Sequence, residues 1–346
     1  MRIKTLFSLL LSLTAYTGTV TNAFAAEPVH AIPQVKPLNP AKVELGKKLY
    51  FDPRISQSGT MSCNTCHNLS LGGTDNLKTS LGHNWQQAQM NTPTVLNSTF
   101  NKVQFWDGRL HEESKGVYDV SPADLAFMHD KVIDVLNSIP GYKQEFKKAY
   151  GSNTITRDML VNALTAFNQT LVTPDSRFDK WLKGDKGALT KTELDGYKLF
   201  KQSGCTTCHD GMAMGGSNIA KMGLTSKYET RNKAKGAADL TGKDEDRIKF
   251  KVPTMRNVEL TYPYFHDGGA DTLEKAVDIM GKLQLGRTYS AKEIDQIVAF
   301  LKTLTGKQPD FKLPILPASS NSTPAPKRQS QSVTDQSFWS CTIVSL

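Results

Sequence analysis

Two segments of the chain carry two thiols and an imidazole in the same order and spacing: Cys63-Asn64-Thr65-Cys66-His67 and Cys205-Thr206-Thr207-Cys208-His209. C-x-x-C-H is the pattern by which a c-type haem is attached. The thiols add to the haem vinyl groups and the adjacent histidine ligates the iron on the proximal side. A zinc ribbon would set its two C-x-x-C pairs about 15 to 20 residues apart, whereas Cys63 and Cys205 are 142 residues apart. Thioredoxin-like use needs a strand leading into a helix, but residues 45–51 and 194–200, before the motifs, read as short helices. The expected cofactors are therefore two covalently bound c-type haems, one held by Cys63, Cys66 and His67, the other by Cys205, Cys208 and His209. The fifth cysteine, Cys341, lies far outside both motifs and reads as an incidental tail thiol.

The elements around the motifs are duplicated. Gly46-Lys47-Lys48-Leu49-Tyr50 parallels Gly196-Tyr197-Lys198-Leu199-Phe200, and each such helix would pack on its own haem. Asn91-Thr92-Pro93-Thr94-Val95-Leu96-Asn97 parallels Lys251-Val252-Pro253-Thr254-Met255-Arg256-Asn257, and Phe105-Trp106-Asp107-Gly108 parallels Phe265-His266-Asp267-Gly268. Both blocks share one offset of 160 residues, the mark of an internal repeat. Apolar residues spaced by three and four predict helices over 132–136, 159–171 and 294–304. Pro140-Gly141, Gly184 and Gly187 punctuate them, and strand-like alternation is scarce. The fold expected is mainly α: two tandem cytochrome c-like domains, each with one covalently attached haem. The haem substitutes for part of a core that so small a unit lacks. The boundaries expected are 26–178 and 179–312, with a Ser/Pro/Gln/Thr-rich disordered tail from 313 to 346.

The chain has 346 residues, 38% hydrophobic and 22% charged, which suits a soluble globular protein and excludes collagen, coiled coil and polytopic membrane protein. Arg2 and Lys4 precede an apolar stretch, and Ala23-Phe24-Ala25 offers a small-x-small cleavage site. Residues 1–25 read as an export signal cleaved near Ala25. The stretch falls short of the about 20 apolar residues of a stable membrane span. The location expected is the periplasm, where the mature chain carries a formal charge of +7. No nucleic-acid partner is expected without a concentrated basic motif; an acidic protein partner suits that charge better.

Seven histidines are present, of which His67 and His209 serve as proximal ligands. Among the rest, His83 sits in a loop near the first motif. For the second haem the candidates are Met212, Met214, Met222, Met255 and Met280, and spacing alone does not choose among them. A thioether ligand would raise the potential relative to imidazole. Here the residues carry a resemblance. Gly82-His83-Asn84-Trp85-Gln86, Asn91-Thr92-Pro93-Thr94, Phe105-Trp106-Asp107-Gly108-Arg109, Ser138-Ile139-Pro140-Gly141-Tyr142, Pro263-Tyr264-Phe265-His266-Asp267-Gly268 and the stretch 280–286 resemble the bacterial di-haem cytochrome c peroxidases, in the same order, over about residues 38–308.

The resemblance implies that His83 is the displaceable sixth ligand of the N-terminal, peroxidatic haem. Met280 would be the sixth ligand of the C-terminal, electron-entry haem, and Trp106 would couple the two electronically. Asn91, with the main-chain carbonyls of Thr261 and Pro263, would hold calcium, a hard ion suited to oxygen ligands. The family's acid/base glutamate lies in Asn-Pro-x-Glu-Met; here the stretch is Ser121-Pro122-Ala123-Asp124-Leu125, so Asp124 takes the role with a side chain one methylene shorter. Glu112 and Glu113 stand nearby as other carboxylates.

The activity implied is reduction of hydrogen peroxide to water, with electrons from a small cytochrome c, a cupredoxin or a quinol, by a homodimer. Reduction of the Met280-side haem would expel His83 and open the site. The alternative is a di-haem electron-transfer protein without peroxidase activity. A third reading is the related branch that oxidises another protein to make a tryptophan-derived quinone, which carries a tyrosine where Met280 stands.

Overall fold

The computed structural model describes residues 27–35, 38–82, 86–111, 131–230 and 232–326. The expected export signal, His83, Glu112, Glu113, Asp124 and Cys341 lie outside the described residues.

The first unit contains α1 (Pro40–Phe51), α2 (Cys63–Cys66), α3 (Val132–Ser138), α4 (Pro140–Tyr150) and α5 (Arg157–Asn168). The second contains α6 (Arg177–Leu182), α7 (Lys191–Gln202), α8 (Ala238–Thr241), α9 (Leu273–Leu285) and α10 (Ala291–Lys302). The helices before the motifs begin earlier than apolar spacing predicts because their caps do. Asn39 accepts from the N–H groups of Ala41 and Lys42 ahead of α1, and Thr190 with Glu193 forms a capping box ahead of α7. Pro140 opens α4 rather than only interrupting the chain, since its fixed φ and missing N–H suit a first helical position.

Each unit is built on one crossing. α1 packs on α5, and α7 packs on α10. At each crossing a glycine lets the backbones touch: a Cβ on Gly46 would lie 1.9 Å from the Ala163 carbonyl oxygen, and one on Gly196 would lie 1.9 Å from that of Gln296. The sheet is minor, as expected: β1 (Val103–Gln104) pairs antiparallel with β2 (Leu110–His111), and β3 (Ile219–Lys221) with β4 (Lys249–Lys251). The repeat extends to backbone shape. Asn97 and Asn257 have φ of 61° and 59°, and Phe105 and Phe265 have φ of 61° and 74°, all left-handed.

The two units are joined by buried polar contacts. The side-chain amides of Asn97 and Asn257 both donate to the Thr173 hydroxyl, at 2.7 and 2.9 Å. Residues near the N-terminus cross to the second unit: Val29 belongs to its core with Phe178, Tyr197 and Phe300. The buried Asp179–Arg256 ion pair (2.8 Å) pins that crossing, because Arg256 also donates to the His30 carbonyl and Asp179 accepts from the Ile32 N–H.

Of the expected tail, residues 313–326 are among the described residues and have little regular secondary structure. This stretch runs back along the first unit, where Ser320 Oγ donates to the Ser138 carbonyl (2.7 Å) and Arg54 donates to Ser319 Oγ (2.9 Å). Its low apolar content is offset by hydroxyl groups that cap exposed turns, which a composition argument does not see. No helix among the described residues is long and apolar enough to cross a membrane.

Candidate active site

α2 carries the first motif on a single helical turn, and Cys63, Cys66 and His67 are all buried. His67 Nδ1 lies 3.0 Å from the Pro93 carbonyl, so it is the Nδ1–H that donates. Nε2 is then left with its lone pair, buried and without a hydrogen-bond partner. That arrangement fixes the tautomer and aims one basic nitrogen, as an imidazole metal ligand requires. Burial pulls the His67 pKa down to about 4, keeping the ring neutral, and pushes the Cys63 thiol up to about 12.

The second motif follows α7 and repeats the chemistry with another carbonyl. His209 Nδ1 lies 3.2 Å from the Met214 carbonyl, and burial again lowers its pKa to about 4. Cys205 and Cys208 carry free thiols, the first raised by burial to about 11. These residues open onto a cavity of about 440 Å³ whose wall also includes Phe200, Met280, Tyr289 and Trp106. An apolar hollow with two thiols and an imidazole at one wall and thioethers on the lining fits a haem. The orphaned Nε2 of His67 fits the iron of another.

The structure narrows the methionine question. Met222, Met255 and Met280 line the cavity with His209; Met212 is partly exposed outside it and Met214 is packed in the core. α9 presents Met280 from the side chains Ala276, Val277, Met280 and Gly281 that line the cavity, one face of the helix.

Trp106 is buried at the same cavity. Its indole N–H donates to the Asn91 carbonyl at 2.8 Å, and its ring meets Phe250 and His266 edge-on at 6.4 Å each. Asn91, Thr261 and Pro263 all line this cavity. The Asn91 side-chain N–H donates to the Leu77 carbonyl (2.8 Å), which leaves Oδ1 unused. His83 and Asp124 lie outside the described residues, although the base of the His83 loop is closed by Gly82 N–H donating to the Gln86 carbonyl at 2.7 Å.

Two wall residues had no role from sequence. His266 stacks on Phe250 at 3.9 Å with its Nε2 buried and unpartnered, and burial lowers its pKa to about 4. Lys251 is buried on the same cavity. The signal for it was the repeat, which sets Lys251 where Asn91 stands in the first unit.

The profile described as di-haem cytochrome c peroxidase matches residues 40–187, and that described as cytochrome c matches residues 194–305. The chain is 55% identical over 326 residues to the cytochrome c551 peroxidase of Nitrosomonas europaea, covering 93% of this chain and 97% of that one. It is 44% identical over 299 residues to the cytochrome c551 peroxidase of Pseudomonas aeruginosa, covering 84% and 86%. Among solved structures, a MauG-like protein associated with microbial copper homeostasis superposes with a TM-score of 0.66 at 26% identity, covering 83% of this chain and 95% of that one. With two thiol–imidazole motifs in tandem helical units and this likeness along nearly its whole length, the chain belongs to the bacterial di-haem cytochrome c peroxidase family.

Proposed function

We infer that this protein reduces hydrogen peroxide to two waters, taking two electrons one at a time from a small redox protein after export to the periplasm. The observation that carries the reading is the pair of imidazole sites that the two thiol-bearing motifs supply. His67 offers a buried, unpartnered Nε2 on one side, and on the other His209 and Met280 share one cavity. The likeness to cytochrome c551 peroxidases along most of the chain favours the enzyme over a plain electron carrier.

The haems, when bound, supply the one-electron chemistry and a Lewis-acidic iron for peroxide. His67 and His209 are their proximal ligands, and Cys63, Cys66, Cys205 and Cys208 their covalent anchors. Met280 is the thioether ligand that makes the C-terminal site the entry point for electrons. His83 would be the displaceable ligand of the haem at the N-terminal site, and its release would open that site to peroxide. Asp124 moves a proton from the proximal to the distal oxygen of peroxide, which requires an approach of about 2.6–3.2 Å, directly or through one water. Asn91, Thr261 and Pro263 would hold calcium through hard oxygen atoms. Because Asn91 also accepts from the Trp106 indole, the ion steadies the residue between the haems. The haem units are 26–178 and 179–312.

The test is peroxide consumption by the haem-loaded, calcium-bound protein with a reduced small cytochrome c as donor. Asp124→Asn should lower kcat by about 10² or more, the usual worth of a general acid–base group. An unchanged rate in D124N would move the proton to Glu112 or Glu113, and no consumption by the parent protein would favour the electron carrier.

A further inference from the structure

Lys251 closes β4 with 3% of its surface exposed, on the wall of the cavity shared by His209, Met280 and Trp106. Its position is fixed by the backbone: its N–H donates to the Trp106 carbonyl at 2.7 Å, and β4 is held in register against Ile219 of β3. Among the described residues its ammonium has no hydrogen-bond or ion-pair partner. The carboxylate that faces it, Asp107, is already engaged by Arg109, whose Nε lies 3.1 Å away. A buried cation without a partner anion carries a heavy desolvation cost and persists in a fold only when something neutralises it.

The cavity wall supplies no other acid: its lining is apolar or neutral apart from Lys221, Lys251 and the histidines. The anion must therefore arrive with the cavity's occupant. A haem brings two propionate carboxylates on the edge away from its vinyl groups, and the vinyl edge is fixed here by Cys205 and Cys208. Lys251 is also close enough to His67 to help lower its pKa, after burial, which is the larger cause. We propose that Lys251 Nζ ion-pairs with a propionate of the haem attached at Cys205 and Cys208, and so fixes that haem's carboxylate edge against Trp106. The proposal rests on the haem reading above and adds a cofactor-binding residue to it. Burial lowers the Lys251 pKa to about 8 in the protein alone; a propionate beside it acts in the opposite sense and keeps the ammonium charged.

The first measurement is the haem content of the purified holoprotein by pyridine haemochrome, which tests the haem reading separately. On protein with two haems per chain, Lys251→Gln and Lys251→Arg are compared with the parent by spectroelectrochemical titration and by redox-difference infrared spectra using haem labelled with ¹³C at the propionate carboxylates. In K251Q the midpoint potential of one haem should fall, because loss of a neighbouring positive charge favours the ferric form, and a labelled carboxylate band should shift. K251R should restore both. Unchanged potentials and unchanged bands in K251Q would overturn the proposal. If K251Q fails to mature, the crystal structure of the parent holoprotein decides: Nζ beyond hydrogen-bonding reach of every propionate oxygen refutes the pairing.

Discussion

For the haem-ligand role proposed for His67 and His209, the nitrogen that matters in the fold is Nδ1. Each Nδ1 is taken by a main-chain carbonyl, from Pro93 or Met214, so the lone pair is presented at Nε2 without a side chain to hold it there. The neighbouring tryptophan is fixed by the same device, an indole N–H on the Asn91 carbonyl. Replacing Trp106 with Phe keeps an aromatic ring but removes that bond, at about 1 kcal/mol of stability. Electron delivery should suffer more than substrate binding: kcat is expected to fall at least about tenfold, equivalent to ~1.4 kcal/mol on the barrier, with KM for peroxide unchanged. Steady-state kinetics at saturating donor checks the split; a raised KM with unchanged kcat would assign Trp106 to the peroxide pocket. The haem-anchoring residues were legible because C-x-x-C-H is local covalent chemistry. The carbonyl partners were not, since they come from residues 26 positions away in one unit and 5 in the other. Lys251 was hidden because nothing in the sequence says that a lysine in a short strand is buried.

At the scale of elements, the glycines at the α1–α5 and α7–α10 crossings set how closely each pair of helices approaches. Gly196→Ala forces a methyl into the Gln296 carbonyl, and such overpacking costs about 1–3 kcal/mol. Denaturant unfolding of the holoprotein should show a lower midpoint with an unchanged slope. An unchanged midpoint would mean that the crossing relaxes freely. The helices themselves were readable from apolar spacing, because amphipathic period survives without tertiary context. Their starts were less so: capping residues such as Asn39 and Thr190 lie outside the periodic stretch and move the boundary toward the N-terminus. Pro140 reads as a break in the sequence because proline both ends and begins helices, and here it begins α4. The contacts that segment 313–326 makes to the first unit are not legible in composition, since they come from hydroxyl groups rather than from apolar residues of its own.

At the scale of the whole molecule, the two units meet at Thr173 and at the cavity, so site and interface are one structure. The duplicated order of motifs foretold two units. It did not foretell that residues 27–32 cross to the second, because Val29 and Ile32 carry no pattern beyond being apolar. Interface burial also makes stability depend on pH. His266 is neutral in the folded protein down to about pH 4, whereas an unfolded histidine takes up its proton near pH 6.5. The unfolded chain therefore binds more protons between those values. The stability associated with a neutral His266 is complete above about pH 6.5 and declines as pH falls toward 4, by about 3 kcal/mol at most. His266→Phe should lack that part of the acid slope in urea titrations across the range, and an identical slope would show that His266 is solvated in solution.

The central claim is that one of two unlike haem sites opens to peroxide when the other is reduced. It is tested most directly by optical and EPR spectra of the calcium-bound protein reduced by one electron, recorded before and after peroxide is added. The account predicts a new high-spin ferric signal at half-reduction that peroxide removes within the mixing time. Two low-spin haems that ignore peroxide in every redox state would contradict it.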